Sequence, residues 1–295
     1  MLRTEALLAF LAVAGALSAE AALACASCGS GGDDVLVLYP NEQYKTYFGL
    51  SRRGAFRTVL PDGSTGHDNG PEYKDMAVVA GGLTFAQDFF MTAGFQAVHN
   101  EAEGKHASGM GDTFVTARWT VLPQTLENPW LPQVQLLSSA KFASGKPIQE
   151  ATDRRLLDAF GSGFHEFKAG ADIWLAMFPI KAGVAQVFSV SLPQKYSGRL
   201  LEPGPTSRTT VTTGIGNTHA KLLIGANREA RGRLKTDGEK LENSEQVNNS
   251  LFCTGSWMST STDELRLTLS RQAAFLKNKN TSQGNSLTLA WMHSF

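Results

Sequence analysis

Long apolar runs are almost absent from this 295-residue chain. The one extended run lies near the start, from Ala6 to Leu17, and is shorter than the about 20 residues that a transmembrane helix needs. Every later apolar run is broken by Lys, Asp or Gly. The sequence therefore excludes a membrane protein built from helices.

An excess of charge is also absent, because 27 Lys and Arg residues balance 27 Asp and Glu residues. Neither a basic nor an acidic tail is present, so we predict no nucleic-acid partner. The mean hydropathy is close to neutral, which fits a soluble β protein. It fits a membrane barrel equally well, since polar lumen residues dilute the lipid-facing ones.

Cysteine is scarce, with Cys25, Cys28 and Cys253 as the three in the chain. In an oxidising compartment the Cys25-Ala-Ser-Cys28 motif favours a local disulfide. The alternative is a thiol pair that binds a soft metal or a partner's thiol. Four-coordinate zinc is not supported, because no second CxxC or nearby His is present. Cys253 shares strand parity with Leu251 and Trp257, so we predict a lipid-facing apolar residue.

The N-terminus has the layout of a secretory signal peptide. A basic residue precedes the apolar run, and an A-x-A cleavage site ends at Ala24. We predict a signal peptide over 1–24, a periplasmic segment with the CxxC motif over 25–43, and one barrel domain over 44–295. An uncleaved N-terminal anchor, or lipidation of Cys25 after cleavage, are the alternatives.

The end of the chain alternates strictly between large apolar and smaller residues. One face carries Leu287, Leu289, Trp291, His293 and Phe295, and the other carries Ser, Thr, Ala and Met. This pattern is typical of a strand with lipid on one side and a small or polar interior on the other. We also predict that Trp291 and Phe295 form an assembly signal for the barrel-assembly machinery.

Similar alternation recurs in stretches of roughly 10 to 14 residues separated by turn residues. The predicted strands lie near 44–58, 73–86, 89–100, 112–122, 132–143, 164–177, 180–192, 206–216, 219–231, 247–260, 264–276 and 284–295. Twelve is an even number, as bacterial barrels require. The predicted fold class is therefore all-β, a closed antiparallel transmembrane barrel of about twelve strands.

The connections between these strands alternate between short and long. The long ones lie near 61–71, 101–110, 144–163, 193–205 and 232–246. Outer-membrane barrels have short periplasmic turns and longer external loops, whereas a β-sandwich has no reason to show this rhythm. One short helix is predicted over 150–160 in the longest external loop, with Thr152 as its cap. It is either a surface helix or a lid folded into the mouth.

Charged residues share the strand face opposite the apolar one. Unpaired charges would be costly in the core of a sandwich, but in a barrel they line a wet lumen. The predicted lumen-lining residues are Arg118, Lys141, Glu166, Lys168, Asp172, Lys221, Glu264 and Arg266. They act either as an electrostatic lining that orders polar solutes or as a salt-bridged plug that stiffens the wall.

The segment Gly109-Met110-Gly111-Asp112 and the strand after it resemble a family of outer-membrane barrels described as transporter-like or linked to the meta-cleavage pathway of phenol degradation. That family also has a Lys before a Pro/Gly loop, here Lys141 to Pro147, and a second Gly-x-Gly, here Gly161-Ser-Gly163. The similarity covers 109–192 and implies a barrel with a transport role for small molecules, but no binding residues. The CxxC motif departs from the family's pattern. In this feature the chain more nearly resembles the barrels that surround multihaem cytochromes, which are far larger.

These patterns predict an outer-membrane barrel that gives small solutes passive passage through a narrow charged lumen. The alternative is a structural or docking barrel, linked to a periplasmic redox or metal protein through Cys25 and Cys28. A secreted soluble β-sandwich is the third class. No GxSxG elbow and no spaced Ser–His–Asp set is present, so we predict no enzyme. The expected partners are outer-membrane lipid and the assembly machinery, with no cofactor and no bound metal.

Overall fold

The computed structural model describes residues 42–66, 72–86, 88–125, 127–153, 156–217, 219–272 and 276–295. The predicted signal peptide and the Cys25-x-x-Cys28 motif lie outside the described residues. Within the described ranges, no helix has the length and apolar character to cross a membrane.

Strands make up most of the described chain. In chain order they are β1 (Tyr44–Val59), β2 (Glu72–Ala86), β3 (Phe89–Ala102), β4 (Lys105–Met110), β5 (Thr113–Leu122), β6 (Gln133–Phe142), β7 (Glu166–Met177), β8 (Ile180–Ser191), β9 (Gln194–Tyr196), β10 (Arg199–Glu202), β11 (Thr206–Gly216), β12 (Ala220–Arg231), β13 (Lys235–Thr236), β14 (Glu239–Lys240), β15 (Gln246–Met258), β16 (Asp263–Gln272) and β17 (Thr281–Ser294). Thirteen of them form one sheet, and β9, β10, β13 and β14 form a second, small sheet.

The large sheet closes on itself into a barrel. Strand β1 pairs with both β2 and β17, and β2 pairs in turn with β3, so no barrel edge is left open. Strands β4 and β5 pair with successive parts of β3 and together occupy one place in the wall. The predicted closed antiparallel barrel of twelve strands is therefore confirmed.

The two ends of the barrel differ in their connections. Short turns lie at one end of the barrel, here named the turn end. The start of β1 and the end of β17 lie there too, and the Phe295 amide donates to the Tyr44 carbonyl. The opposite end, here named the loop end, carries the long loops. The connection over 123–132 is long for the turn end. It is tied down by Gln124, whose side-chain amide exchanges hydrogen bonds of 3.0 and 3.1 Å with the Ala176 backbone.

The outer face of the barrel is an apolar belt. Outward residues such as Leu222, Ile224 and Leu289 are about half exposed in the isolated chain, which is the arrangement expected of side chains that meet lipid. Large aromatic residues are exposed toward the turn end: Phe85, Trp119, Phe178, Trp257 and Phe295. Cys253 has the predicted outward parity, in register with Ile224 and Leu269, and is partly buried.

The predicted helix over 150–160 is wrong. The described part of this stretch is not helical beyond Glu150, which closes a 3₁₀ helix over Ile148–Glu150. The Asp158 carboxylate accepts hydrogen bonds from the backbone amides of Thr152 and Asp153, at 2.9 and 3.2 Å. A local side-chain acceptor therefore takes the amides that would have begun the helix.

The long loop predicted over 101–110 is also wrong, because most of it is strand β4. A tight turn at Glu103 and Gly104, with φ of 49° and 75°, joins β3 to β4. Two successive positive φ angles are typical of a hairpin turn whose twist matches the strands. The glycines of this stretch predicted a loop from the sequence, whereas Gly104 forms the tight turn of the hairpin between β3 and β4.

Candidate functional site: the lumen of the barrel

Cross-strand register places all eight predicted lumen residues on the inner face. Arg118 pairs with Leu137, Lys141 with Glu166, and Lys168 with Ser139 and Ser189. The remaining four positions continue the same inner face on neighbouring strands: Asp172, Lys221, Glu264 and Arg266. The strand parity read from the sequence thus gave the correct face for each of them, while their functional role stays a prediction.

Charged side chains at the loop end line a cavity of about 180 Å³. The Lys141 ammonium lies 2.9 Å from the Glu166 carboxylate, and that of Lys168 lies 3.9 Å away. The Ser189 hydroxyl also donates to Glu166, at 2.6 Å. Farther round the wall Arg208 donates to Glu229 at 3.0 Å. We name this charged cavity the vestibule.

The long loop over 143–165 folds into the mouth of the vestibule and is held there by Asp112. This buried carboxylate accepts from the amide and hydroxyl of Ser162, at 2.9 and 2.7 Å, and from the Gly145 amide at 3.3 Å. From the inner face of β3, the Asn100 side chain donates to two carbonyls of the same loop, at 2.8 and 2.9 Å. Asp112 and Asn100 therefore hold the loop in place, and the 3₁₀ helix over Ile148–Glu150 is the one helical turn among its described residues.

A second carboxylate organises the outer part of this loop. Asp158 accepts from the ammonium of Lys146 and from the hydroxyl of Thr152, the latter at 2.8 Å. The Lys146 hydrogen bond, followed by those from Thr152 and Asp153, holds the pKa of Asp158 well below its usual range. The carboxylate is therefore ionised at neutral pH and holds Lys146, Thr152 and Asp153 together. We name this set of contacts the latch.

The inner wall of the vestibule includes a buried ion pair between residues on β5 and β7, the two strands on either side of β6. The Arg118 guanidinium donates to the Asp172 carboxylate at 2.5 Å and to the side-chain amide oxygen of Gln135 at 3.3 Å. Gln135 donates in turn to the Thr120 hydroxyl at 3.0 Å. Arg118 is only 2% exposed and Asp172 only 6%, so neither water nor a solute reaches them freely in this conformation.

Toward the turn end, buried apolar side chains share the lumen with the Glu264–Arg266 ion pair of 3.1 Å, whose two residues are in register with Met292 and Ala290. Tyr47, Phe90 and Met292 form a cluster with Ala80 and Ala290. The inward side chains of this half are among the least exposed in the described chain, with Met292 at 1%. We name this region the packed half.

Aromatic rings occupy the packed half by lying over inward-facing glycines. An ideal Cβ atom on Gly183 would lie 2.5 Å from the ring of Trp174, its partner on the neighbouring strand. Phe252 covers Gly225 in the same way. These pairs require glycine, because only a missing Cβ leaves room for the ring.

Several lumen residues were missed in the sequence. Arg208, Glu229 and Arg231 have inward parity on β11 and β12, and the alternation of those two strands could have identified them. Tyr47 and Trp174 were missed for another reason. A lumen was expected to be small or polar, so apolar residues of inward parity were not counted as lining.

The outward aromatic residues near the C-terminus form a compact group. The Trp291 indole donates to Asp263 at 3.0 Å, and the ring of His293 lies between those of Trp291 and Phe295. The role of Trp291 and Phe295 as an assembly signal stays a prediction. In the described ranges, no three His, Cys, Asp or Glu side chains are grouped as metal ligands would be.

Comparison with solved structures finds the same architecture in the COG4313 outer membrane channel from Pseudomonas putida F1. The TM-score is 0.73 at 13% sequence identity, and the match covers 90% of this chain and 99% of that chain. The NanC porin gives a TM-score of 0.47 at 10% identity, covering 83% of this chain and 100% of that one. The translocator domain of autotransporter NalP from Neisseria meningitidis gives 0.49 at 10% identity, covering 96% and 92%.

No family model and no curated protein sequence matches the chain. At 13% identity, the likeness to the Pseudomonas channel shows a shared fold. The structural neighbours are thus barrels of outer-membrane channels and porins. Membership of the specific family suggested by residues 109–192 stays a prediction.

Proposed function

We propose that this chain is an outer-membrane channel through which small polar solutes cross passively along a narrow, charged lumen. The observation that carries this proposal is the vestibule, a charged cavity enclosed by a closed barrel with an apolar outer belt. Charges on an inner wall are costly unless water or solute reaches them, and the vestibule provides that access. The fold shared with an outer membrane channel supports the same reading.

The narrowest level of the proposed path is the packed half. Barrels of about 8 strands are filled by side chains, and those of about 16 to 18 strands leave a water-filled channel. Twelve strands fall between these cases, and the buried Arg118–Asp172 pair lies where the vestibule gives way to tight packing. Passage therefore requires side-chain movement at this level, which predicts a small conductance.

Orientation follows from the two ends of the barrel. Short turns face the periplasm in outer-membrane barrels, and longer loops face outward. The vestibule thus opens to the exterior, and solutes meet its charges before they reach Arg118. The predicted signal peptide supports the export that this location requires.

Planar-bilayer recording of the refolded mature chain tests the proposal. We expect discrete ohmic steps whose size changes when Lys168→Glu or Arg266→Glu reverses a lumen charge. Arg228→Glu is the matched control, because Arg228 lies on β12 with outward parity, next to inward Asn227 and Glu229. Its steps should match those of the wild type.

A barrel that inserts correctly, migrates as a heat-modifiable band and stays silent would contradict passive passage. The structural or docking alternative would then gain weight. It predicts that replacing Cys25 and Cys28 by Ser abolishes capture of a periplasmic partner, whereas a channel conducts unchanged after the same replacement.

A further inference from the structure

One cross-strand row at the loop end has the donors that an oxyanion needs. It consists of the inward residues Lys168, Ser189, Thr206 and Arg231 on four adjacent strands. Two hydroxyl groups therefore lie between two cations, and the Ser189 hydroxyl donates to Glu166 at 2.6 Å. The Arg231 guanidinium already donates to the Thr206 hydroxyl, at 3.3 Å. Ammonium, guanidinium and hydroxyl groups together are typical ligands of carboxylate and phosphate.

The vestibule has too few carboxylates for its cations. Its lining includes five basic side chains and three acidic ones. Glu166 lies within 4 Å of two ammonium groups, those of Lys141 and Lys168, and the Lys141 ammonium also lies 3.9 Å from the Asp112 carboxylate. Arg231 has no carboxylate within salt-bridge distance among the residues that the structure describes. An incoming anion would supply the missing negative charge.

The opposite wall adds further positive charge. Arg53 and Lys74 are neighbours on the inner faces of β1 and β2. Glu72 lies on the same inner face of β2, two residues before Lys74. A low-dielectric cavity lined by charge of one sign raises the local concentration of the opposite ion.

We infer that the vestibule is a binding site for small oxyanions, carboxylate or phosphate, and that it makes the channel selective for anions. The row from Lys168 to Arg231 holds the ligand, and Arg208 lies one register step below it. The selectivity rests on the proposed function, whereas the binding site does not, since a closed barrel could hold the same anion.

Ion selectivity is the first arm of the test. In a KCl gradient the reversal potential of the wild type should show chloride preferred to potassium. The variant Lys168→Gln/Arg231→Gln should lower that permeability ratio by about twofold or more. Arg228→Gln removes the same charge from the outer face of β12 and should leave the ratio unchanged. Conducting wild-type channels without anion preference, or a double variant equal to the wild type, would overturn the inference.

Equilibrium binding is the second arm, and it does not depend on conduction. Succinate and inorganic phosphate are titrated separately against the folded barrel in detergent, with thermal unfolding as the readout. Loss of two charge-assisted contacts should weaken the binding of the preferred anion at least about tenfold in the double variant. The anion with the larger stabilisation identifies the ligand chemistry.

The two arms separate the two proposals. A silent barrel that is still stabilised by succinate or phosphate through Lys168 and Arg231 would refute passage and support the site. A conducting barrel that neither anion stabilises would support passage and refute the site.

Discussion

The two halves of the lumen have the same wall but different contents. In the vestibule, ion pairs lie around a cavity, and Arg231 at its rim is exposed. In the packed half, Met292 and Ala290 are 1% and 2% exposed and belong to one cluster of buried apolar side chains. Strand alternation therefore determines which residues face inward, but it does not determine whether water fills the interior.

The difference arises from residue size opposite each position. In the packed half, glycine faces an aromatic ring, as at Gly183 and Trp174, so the ring occupies the space that a Cβ atom would take. In the vestibule, Ser and Thr lie between long charged side chains, and the charges hold those chains apart or pair them locally. The lumen is therefore open at the vestibule and filled at the packed half, which we also call the neck.

Breaking the ion pair between the two halves should have the largest effect. Asp172→Ala leaves the Arg118 guanidinium buried without its carboxylate, and we expect a loss of about 3 to 5 kcal/mol in the free energy of unfolding. Urea titration in lipid vesicles, followed by the heat-modifiable folded band, measures it. The double variant Arg118→Met/Asp172→Leu is the control and should stay close to the wild type. Equal losses in both variants would contradict this account.

Opening a cavity in the packed half should have the next largest effect. Met292→Ala removes a side chain that is 1% exposed, and the expected loss is about 2 to 5 kcal/mol in the same titration. Leu289→Ala on the outer face of the same strand is the control, because Leu289 is half exposed and borders lipid. A Leu289 variant as unstable as the Met292 variant would show that the neck is not packed as described.

Overpacking the neck should cost less. Gly183→Ala places a methyl group where the Trp174 ring now lies, so we expect a loss of about 1 to 3 kcal/mol and a shift in tryptophan emission. Gly255→Ala is the matched control, since no atom lies within 4 Å of the position its Cβ would take. An unchanged emission spectrum in the Gly183 variant would contradict the ring-over-glycine contact.

The smallest effect concerns the loop over the vestibule and its dependence on pH. The folded pKa of Asp158 is depressed, chiefly by the Lys146 hydrogen bond. The latch therefore contributes fully above the unfolded pKa of about 3.9 and is lost as the pH falls from there toward the folded value. Between pH 5 and 8 we expect no change in tryptic cleavage at Arg154 or Arg155, and faster cleavage in Asp158→Asn.

The matched variant for this loop is Glu150→Gln, which removes an exposed carboxylate from the same loop but leaves the acceptor at Asp158. Its cleavage rate should equal that of the wild type. Cleavage of the wild type that accelerates between pH 8 and 5 would contradict a carboxylate latch with a depressed pKa.

The sequence was sufficient to predict the wall of this barrel, but it was insufficient to predict the contacts between side chains in the lumen. Period-two alternation located most barrel strands to within a few residues, because lipid on one side imposes a strict pattern, but it missed β4. The row from Lys168 to Arg231 needs the register of four strands, which single-strand patterns do not give. The hold of Asp112 on Ser162 depends on the path of a loop whose sequence favoured a helix.

Unitary conductance of the neck variant Arg118→Ser/Asp172→Ser tests the central claim most directly. If a filled neck at this pair limits passage below an open vestibule, the variant should give larger single-channel steps than the wild type under identical salt and voltage. Arg228→Ser removes a charge from the outer face of β12 and serves as the control, with no change expected. Equal steps in the wild type and the neck variant would contradict the claim and place the limiting barrier elsewhere.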